Sequence, residues 1–295
     1  MTALQNAFAD LVTPGFRDVY FEAYGEEPEQ YSKICKVLST EKYQEKFSSV
    51  AGLGAWALKN EGAEVSYEDP TQLYDSTMTP AFYSKAFRLS ENLWDNDLVG
   101  CMKVVPEDMG RGARYVVEQL VANIYNNGFA SGLTPDASYV FATNHPVAGS
   151  TQANRPTAAV DLSATSLEAA IIAMEGMTDY KGLPIINKAK ILLVPPQLKY
   201  TAMKLVKSDL DPESAYNAIN PLSSEGLTVV VNRFLTDTDS WFLIGSQNPV
   251  EMYWRKKPTF AQDVHFDTGD LRFKGTMAVG ITVRGYQRIY GVPGA

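Results

Sequence analysis

The sequence predicts an α+β fold with extended arms, on three observations. Apolar residues recur at helical spacing from Met109 to Ile124, and apolar and polar residues alternate through the tail from Asp263 to Val292. Residues 39–92, by contrast, carry too few regularly spaced apolar positions to build a core of their own.

At the amino terminus Leu4, Phe8, Leu11 and Val12 share helical spacing, Pro14-Gly15 interrupts, and Phe16, Val19, Tyr20 and Tyr24 resume the period. This predicts two short amphipathic turns. The first 32 residues hold one base, Arg17, against six acids, so the segment reads as an arm that docks on something else. In residues 39–92 the runs TEKYQEKFSSV and TPAFYSKAFRLS read as two strands with a thin apolar stripe, joined by the irregular GLGAWALKNEGAEVSYEDPTQLYDS. A two-stranded ribbon is marginal alone in water, and so long an irregular loop is usually functional. The ribbon needs a neighbouring surface.

Ser90 opens a helical stretch through Leu93, Trp94, Leu98, Cys101 and Met102, which Pro106 is expected to end. The clearest helix follows. Glu107 and Asp108 suit its positive end, Met109, Ala113, Val116, Val117, Leu120, Val121 and Ile124 form its stripe, and Asn126-Asn127-Gly128 stops it. Thr165 and Glu168 predict a capping box ahead of another helix. Strand KILLV, a helix through Leu198 and Val206, and strands GLTVVVNRF, SWFLIG and VEMYW then make residues 166–256 an α/β unit. The TDTD between two of those strands reads as a hairpin turn at Asp237 and Asp239; an EF-hand would need a Gly and a closing Glu.

Charge and composition exclude several classes. Twenty-six bases against 34 acids give a net charge of −8, which argues against tight phosphate binding, and the single compact basic cluster, Arg255-Lys256-Lys257, reads as a solvated strand end. No stretch approaches the ~18 apolar residues of a membrane span, and the first twenty residues lack a basic start with an apolar run, so a soluble, unexported protein is expected. Cys35 and Cys101 lack CxxC partners and read as free, reduced thiols. The two histidines, His145 and His265, have no Cys or Glu at ligand spacing, so no metal or cofactor is expected. Signatures of nucleotide-binding loops and hydrolase elbows are missing. The one constellation open to an enzyme is His145 with Asp136 or Asn144. In the ribbon tip, Lys59-Asn60 has the residue types of an isopeptide bond to a neighbour, but a solvated loop lysine is expected.

The order of parts resembles the major capsid protein of tailed bacteriophages, a fold also seen in encapsulin shells. NEGAEVSYEDP followed by YSKAFRLSENLWDNDL resembles the return of that family's ribbon into its helix; NNGFASG and VFATNHPVAG resemble the end of its spine helix and the turn beyond; LLVPPQLKYTAMKLVKS and DTDSWFLIG resemble its α/β lobe. FATNHPV is nearest to Mu-type head subunits. The resemblance covers nearly the whole chain, and its specificity lies in the order of the segments.

It implies an N-arm over 1–38, an extended E-loop over 39–92, a peripheral domain over 93–165 and 257–292 with its spine helix near 107–127, and an axial domain over 166–256. It further implies a non-enzymatic subunit forming hexamers and pentamers of an icosahedral head around double-stranded DNA, assembled in the host bacterial cytoplasm. Partners would be the chain itself, a portal, decoration proteins and weakly held DNA. The family's fused scaffolding extension has no counterpart here, so a separate scaffolding protein is expected. Contacts between subunits are expected from Leu53, Trp56, Leu58, Lys59 and Tyr67 in the ribbon tip and from Phe8, Phe16 and Tyr20 in the arm. A cargo shell of the encapsulin kind and a soluble enzyme are the alternatives.

Overall fold

The stripe predicted on the long helix is shared by two sheets. The computed structural model describes residues 5–62, 64–90, 93, 101–132, 134–147, 149–210 and 219–295, with side chains described from residue 15 onward and excluding that of 101. Helix α1 (Gln5–Glu26) and the short α2 (Tyr31–Ile34) lead into β1 (Lys36–Ser39), β2 (Glu45–Ala51), β3 (Thr71–Met78) and β4 (Ala81–Leu89). The long helix α3 (Val104–Asn126) precedes a small hairpin, β5 (His145–Val147) and β6 (Ser150–Gln152). Then come α4 (Ala164–Glu175), β7 (Ala189–Val194), α5 (Lys199–Lys207), β8 (Thr228–Val231), β9 (Trp241–Gly245), β10 (Val250–Val264), β11 (Leu271–Val283) and β12 (Ile289–Val292).

One sheet has the order β1-β10-β11-β4 and the other β12-β9-β7-β8, with parallel pairing only at β1/β10 and β7/β8. Val117, Val121 and Tyr125 of α3 join Met252, Trp254, Met277 and Val279 of the first sheet and Leu193, Phe242 and Ile244 of the second in one buried cluster. A second cluster lies inside the α/β unit, where Leu167, Ile171 and Met174 of α4 and Ala202 and Leu205 of α5 cover Leu192, Trp241 and Leu243.

Several expectations are corrected. Helix α1 runs unbroken through Pro14-Gly15. A mid-helix proline removes one hydrogen bond and strains the turn before it, but tertiary packing holds this helix. Phe16, Tyr20 and Ala23 are buried, Gly110 of α3 admits the Tyr20 carbonyl, and Phe16 and Tyr20 pack on Phe273 and Phe260. The acids at and beyond its end pair with bases of the same chain: Glu26 with Arg111 at 3.0 Å, Glu27 with Arg233 at 2.6 Å and Glu29 with Arg114 at 3.3 Å. The acidic arm therefore docks on its own long helix.

Pro106 sits inside the first turn of α3 instead of ending a helix, where its missing N–H has no partner to lose. The cap of α4 is Ser163 with Ser166, whose hydroxyls reciprocally bond each other's backbone N–H, and not Thr165 with Glu168. VEMYW belongs to a 15-residue strand of the first sheet, while Ile289–Val292 completes the second, so sheet membership crosses the boundary expected at 256/257. Asp237 accepts the Asp239 N–H in a turn, but β8 and β9 are not neighbours, so the turn closes no hairpin.

A methyl group at Gly110 would lie 2.3 Å from the Tyr20 carbonyl oxygen, whereas one at Gly112 would meet nothing within 4 Å. Gly110→Ala is therefore expected to destabilise by about 1–3 kcal/mol through overpacking. Gly112→Ala should stabilise by up to about 1 kcal/mol through helix propensity. Thermal unfolding of the two variants checks the opposite signs.

Candidate functional site

The ribbon is β2 paired antiparallel with β3, from Glu45 opposite Met78 to Ala51 opposite Thr71. The expected partner of the first strand, TPAFYSKAFRLS, instead forms β4 at the edge of the first sheet. Part of the segment read as irregular is thus strand, and the tip shrinks to residues 52–70. The error follows from LYDST, whose mix of apolar, acidic and hydroxyl residues hides its alternation.

The ribbon is fixed at its base. The Phe47 ring lies 5.8 Å from the Tyr253 ring with the Arg284 guanidinium 4.1 Å over it, and Met78 fills the space above Gly280, where a Cβ would collide with its sulfur. Further out, the Tyr74 and Tyr180 rings are 6.0 Å apart. Glu68 accepts from Lys181 at 2.7 Å and from the Gly54 N–H at 2.8 Å, and these bonds hold its carboxyl below the usual range. Glu68 is the residue that sequence reasoning missed: it closes the tip and tethers it to the 179–182 turn.

Beyond that tether the tip is bare. Trp56 is 99% exposed, Tyr67 97% and Leu58 93%, with Leu53 and Val65 also largely open. Lys59 is exposed and makes no ion pair among the described residues. The structure thus gathers Leu53, Trp56, Leu58, Lys59 and Tyr67 on one projecting loop. Phe16 and Tyr20 do not join them, being buried within the chain, and the side chain of Phe8 lies outside the described residues, as does that of Cys101. Cys35 is buried, and burial, helped by the nearby Glu118 charge, pushes its thiol up to about 12, so it is unreactive.

The enzyme-like pair does meet. His145 Nδ1 lies 2.7 Å from Asp136 Oδ2, with side-chain exposures of 0% and 1%. His145 Nε2 is 3.2 Å from Asn154 Oδ1, and its ring stacks on Tyr286 with centroids 3.8 Å apart. Asn154 is itself locked by backbone bonds to Ala142 and Val140. Burial alone would raise the Asp136 carboxyl, but hydrogen bonds from His145 and Thr134, the attraction of the His145 ring and the Ser138 N–H outweigh it and hold Asp136 below the usual carboxylate range. A pair this enclosed ties His145 and Asp136 to the carboxyl-terminal segment through Tyr286. His265 caps the β10–β11 turn through Thr268 Oγ1 at 3.0 Å.

A family model described as phage capsid protein matches residues 74–292. The chain belongs to the phage capsid protein family. Solved structures similar to this capsid protein include the capsid of cyanophage P-SCSP1u, at 14% identity over 89% of this chain and 86% of that one, with a TM-score of 0.60. The bacteriophage JBD30 capsid matches at 15% identity over 71% and 92%, with a TM-score of 0.60, and a virus-like particle from Pyrococcus furiosus at 10% over 95% and 98%, with a TM-score of 0.55. At such identities the likeness establishes a shared fold, and the family match favours a phage shell over a cargo shell. No curated protein matches the chain significantly. It is a structural protein of the capsid; among the described residues no group of His, Cys, Asp and Glu is placed to hold a metal, and no helix is long and apolar enough to cross a membrane.

Because the Asp136 carboxyl is held lower in the folded capsid protein than in the unfolded chain, its contribution is complete above the ordinary carboxylate range and is lost as the pH falls below that range through the lowered folded value. Asp136→Asn should cost about 1–3 kcal/mol at neutral pH, the usual penalty for leaving buried hydrogen-bond partners unsatisfied, and should flatten the acid limb of the stability profile. Urea midpoints between neutral and acid pH measure both.

Proposed function

We propose that this capsid protein is the repeating subunit of a closed icosahedral head, assembling as hexamers and pentamers around double-stranded DNA in the host cytoplasm, and that its ribbon tip clasps the next copy. In this reading the first sheet with α3 is the peripheral domain and the second sheet with α4 and α5 the axial domain. The observation that carries it is the tip, which holds Trp56, Leu58 and Tyr67 almost wholly in water on a ribbon anchored at its base, at Tyr74 and by Glu68. Contiguous exposed apolar surface marks an interaction site. Burying three or four such side chains contributes on the order of 5–10 kcal/mol before ordering entropy is subtracted, and head-to-tail repetition around a ring multiplies it. Catalysis has no place in this reading, since the Asp136–His145 pair is sealed.

Replacing Leu53–Asp69 with a short Gly/Ser link should leave the thermal unfolding of the isolated subunit unchanged and abolish closed particles in negative-stain micrographs. Trp56→Ala should weaken each contact by about 2 kcal/mol, seen as particles that fall apart at lower denaturant. Loss of the folded subunit in the loop-replaced variant, or particles of undiminished stability, would sink the clasp.

A further inference from the structure

The basic cluster at 255–257 lies in the middle of β10, not at a strand end. A bulge there, where the pairing shifts between Trp254 and Lys256, lays the Arg255 guanidinium 5.3 Å over the exposed Phe82 ring on the solvent side of the first sheet. The register places Lys256 opposite Ala278, and Lys256 bonds Thr276 Oγ1 at 3.0 Å on the same side. Lys274 and Arg272 follow along that side of β11, and Arg88 of β4 stands directly opposite Arg272. Buried Phe273, Met277 and Val279 face the other way, toward the core. The upper part of this face is covered by the ribbon base at Tyr253 and Gly280. The lower part is open and holds five bases against one acid, Asp263.

None of the five takes part in an ion pair among the described residues, whereas Arg111, Arg114, Arg233 and Arg284 all do. Like charges directly opposite across a sheet are destabilising; Arg272 faces Arg88 on one side and the single acid Asp263 on the other, so Asp263 offsets only part of this repulsion. The cations span a band about 20 Å long and 10 Å wide. Between them lie Ser84, Ala86, Thr259, Ala261 and Thr276, small residues that make the floor flat, and the exposed rings at the upper end, Phe82 and Tyr43, lie under the Arg255 guanidinium. Protein interfaces have apolar cores depleted of charge; this face has the reverse. A duplex presents one phosphate charge per about 1.7 Å of axis, both strands counted, so a length matching this band carries about a dozen phosphates, and those on the side turned to the sheet bind by releasing their counterions.

We propose that the open face of the first sheet, through Arg88, Arg255, Lys256, Arg272 and Lys274, is the surface on which the subunit meets the phosphate backbone of double-stranded DNA. This rests on the shell reading and assigns its inward side. The net charge of −8 keeps the contact weak and salt-sensitive, and the segregation of bases gives it a place.

The test uses the full-length subunit and a fluorescent duplex of about 30 base pairs, with binding followed by anisotropy over a salt series. The variant Arg88→Gln/Arg272→Gln/Lys274→Gln is compared with Lys33→Gln/Lys190→Gln/Arg288→Gln, which removes the same charge from a separate basic concavity of about 660 Å³ beside Cys35 and Glu251. The face variant should lower the slope of log Kobs against log salt by about 3, single substitutions by about 1 each, and the concavity variant by nothing. Equal losses in both triple variants would mean that only net charge matters, and no loss in either would mean that the face does not meet DNA; each outcome overturns the proposal. So does a face variant that keeps the slope yet forms no particles, since the face would then belong to a neighbouring subunit. If the unmodified chain forms no particles while the face variant alone loses the slope, the shell reading falls and this surface assignment stands.

Discussion

Everything in the chain is referred to one helix, because α3 buries its stripe against two sheets at once. Val117, Val121 and Tyr125 are fully buried between them. The neighbouring side of the same helix carries two charges that are also out of water. Arg114 donates to the Tyr24 carbonyl at 3.0 Å with its guanidinium 4.1 Å over the Tyr24 ring, and Glu118 accepts from the Gln30 N–H at 2.9 Å. Burial raises the Glu118 carboxyl despite those bonds. Together the pair fixes the elbow between α1 and β1. The edge strand β1 starts there, with β10 beside it, so the elbow also sets where the ribbon leaves the body.

What the sequence made legible were the elements with an unbroken period and a single burial context. Helix α3 stood out because its stripe repeats for about four turns, and KILLV and SWFLIG because largely buried strands read as short apolar runs. Elements whose stability comes from elsewhere were hidden. Helix α1 tolerates Pro14 because Gly110 lets it lie close against α3, a contact 90 residues distant that no local pattern carries. Strand β3 alternates Leu73, Asp75 and Thr77 on one side, a pattern too polar to declare a strand until β2 is beside it.

The site divides the same way. Trp56, Leu58 and Tyr67 were legible because large apolar groups in a Gly-rich loop have no local reason to be there, and the structure leaves them uncovered. Glu68 was invisible, since its partner Lys181 lies in another element. Phe16 and Tyr20 misled for the converse reason: an amphipathic arm looks the same whether its apolar face meets a neighbour or its own chain. Intrachain ion pairs from Glu26, Glu27 and Glu29 decide for the latter.

Net charge was the least informative number, because folding sorts charges by place. Three acids of the arm, Glu26, Glu27 and Glu29, are neutralised by Arg111, Arg233 and Arg114, and Glu251 is held by Lys36 at 3.3 Å and by the Tyr253 hydroxyl at 2.6 Å. Once those pairs are made, the bases left unpaired on the open sheet face stand apart from the acids left unpaired on the ribbon tip, Glu61, Glu64 and Asp69. Over a Debye length of roughly 8 Å a ligand senses the nearest patch and little of the total. A chain of −8 therefore carries a cationic sheet face and, apart from it, an acidic, aromatic tip. The proposed clasp and the proposed DNA contact each rest on one of these surfaces, the first on apolar burial and the second on charge that salt can screen.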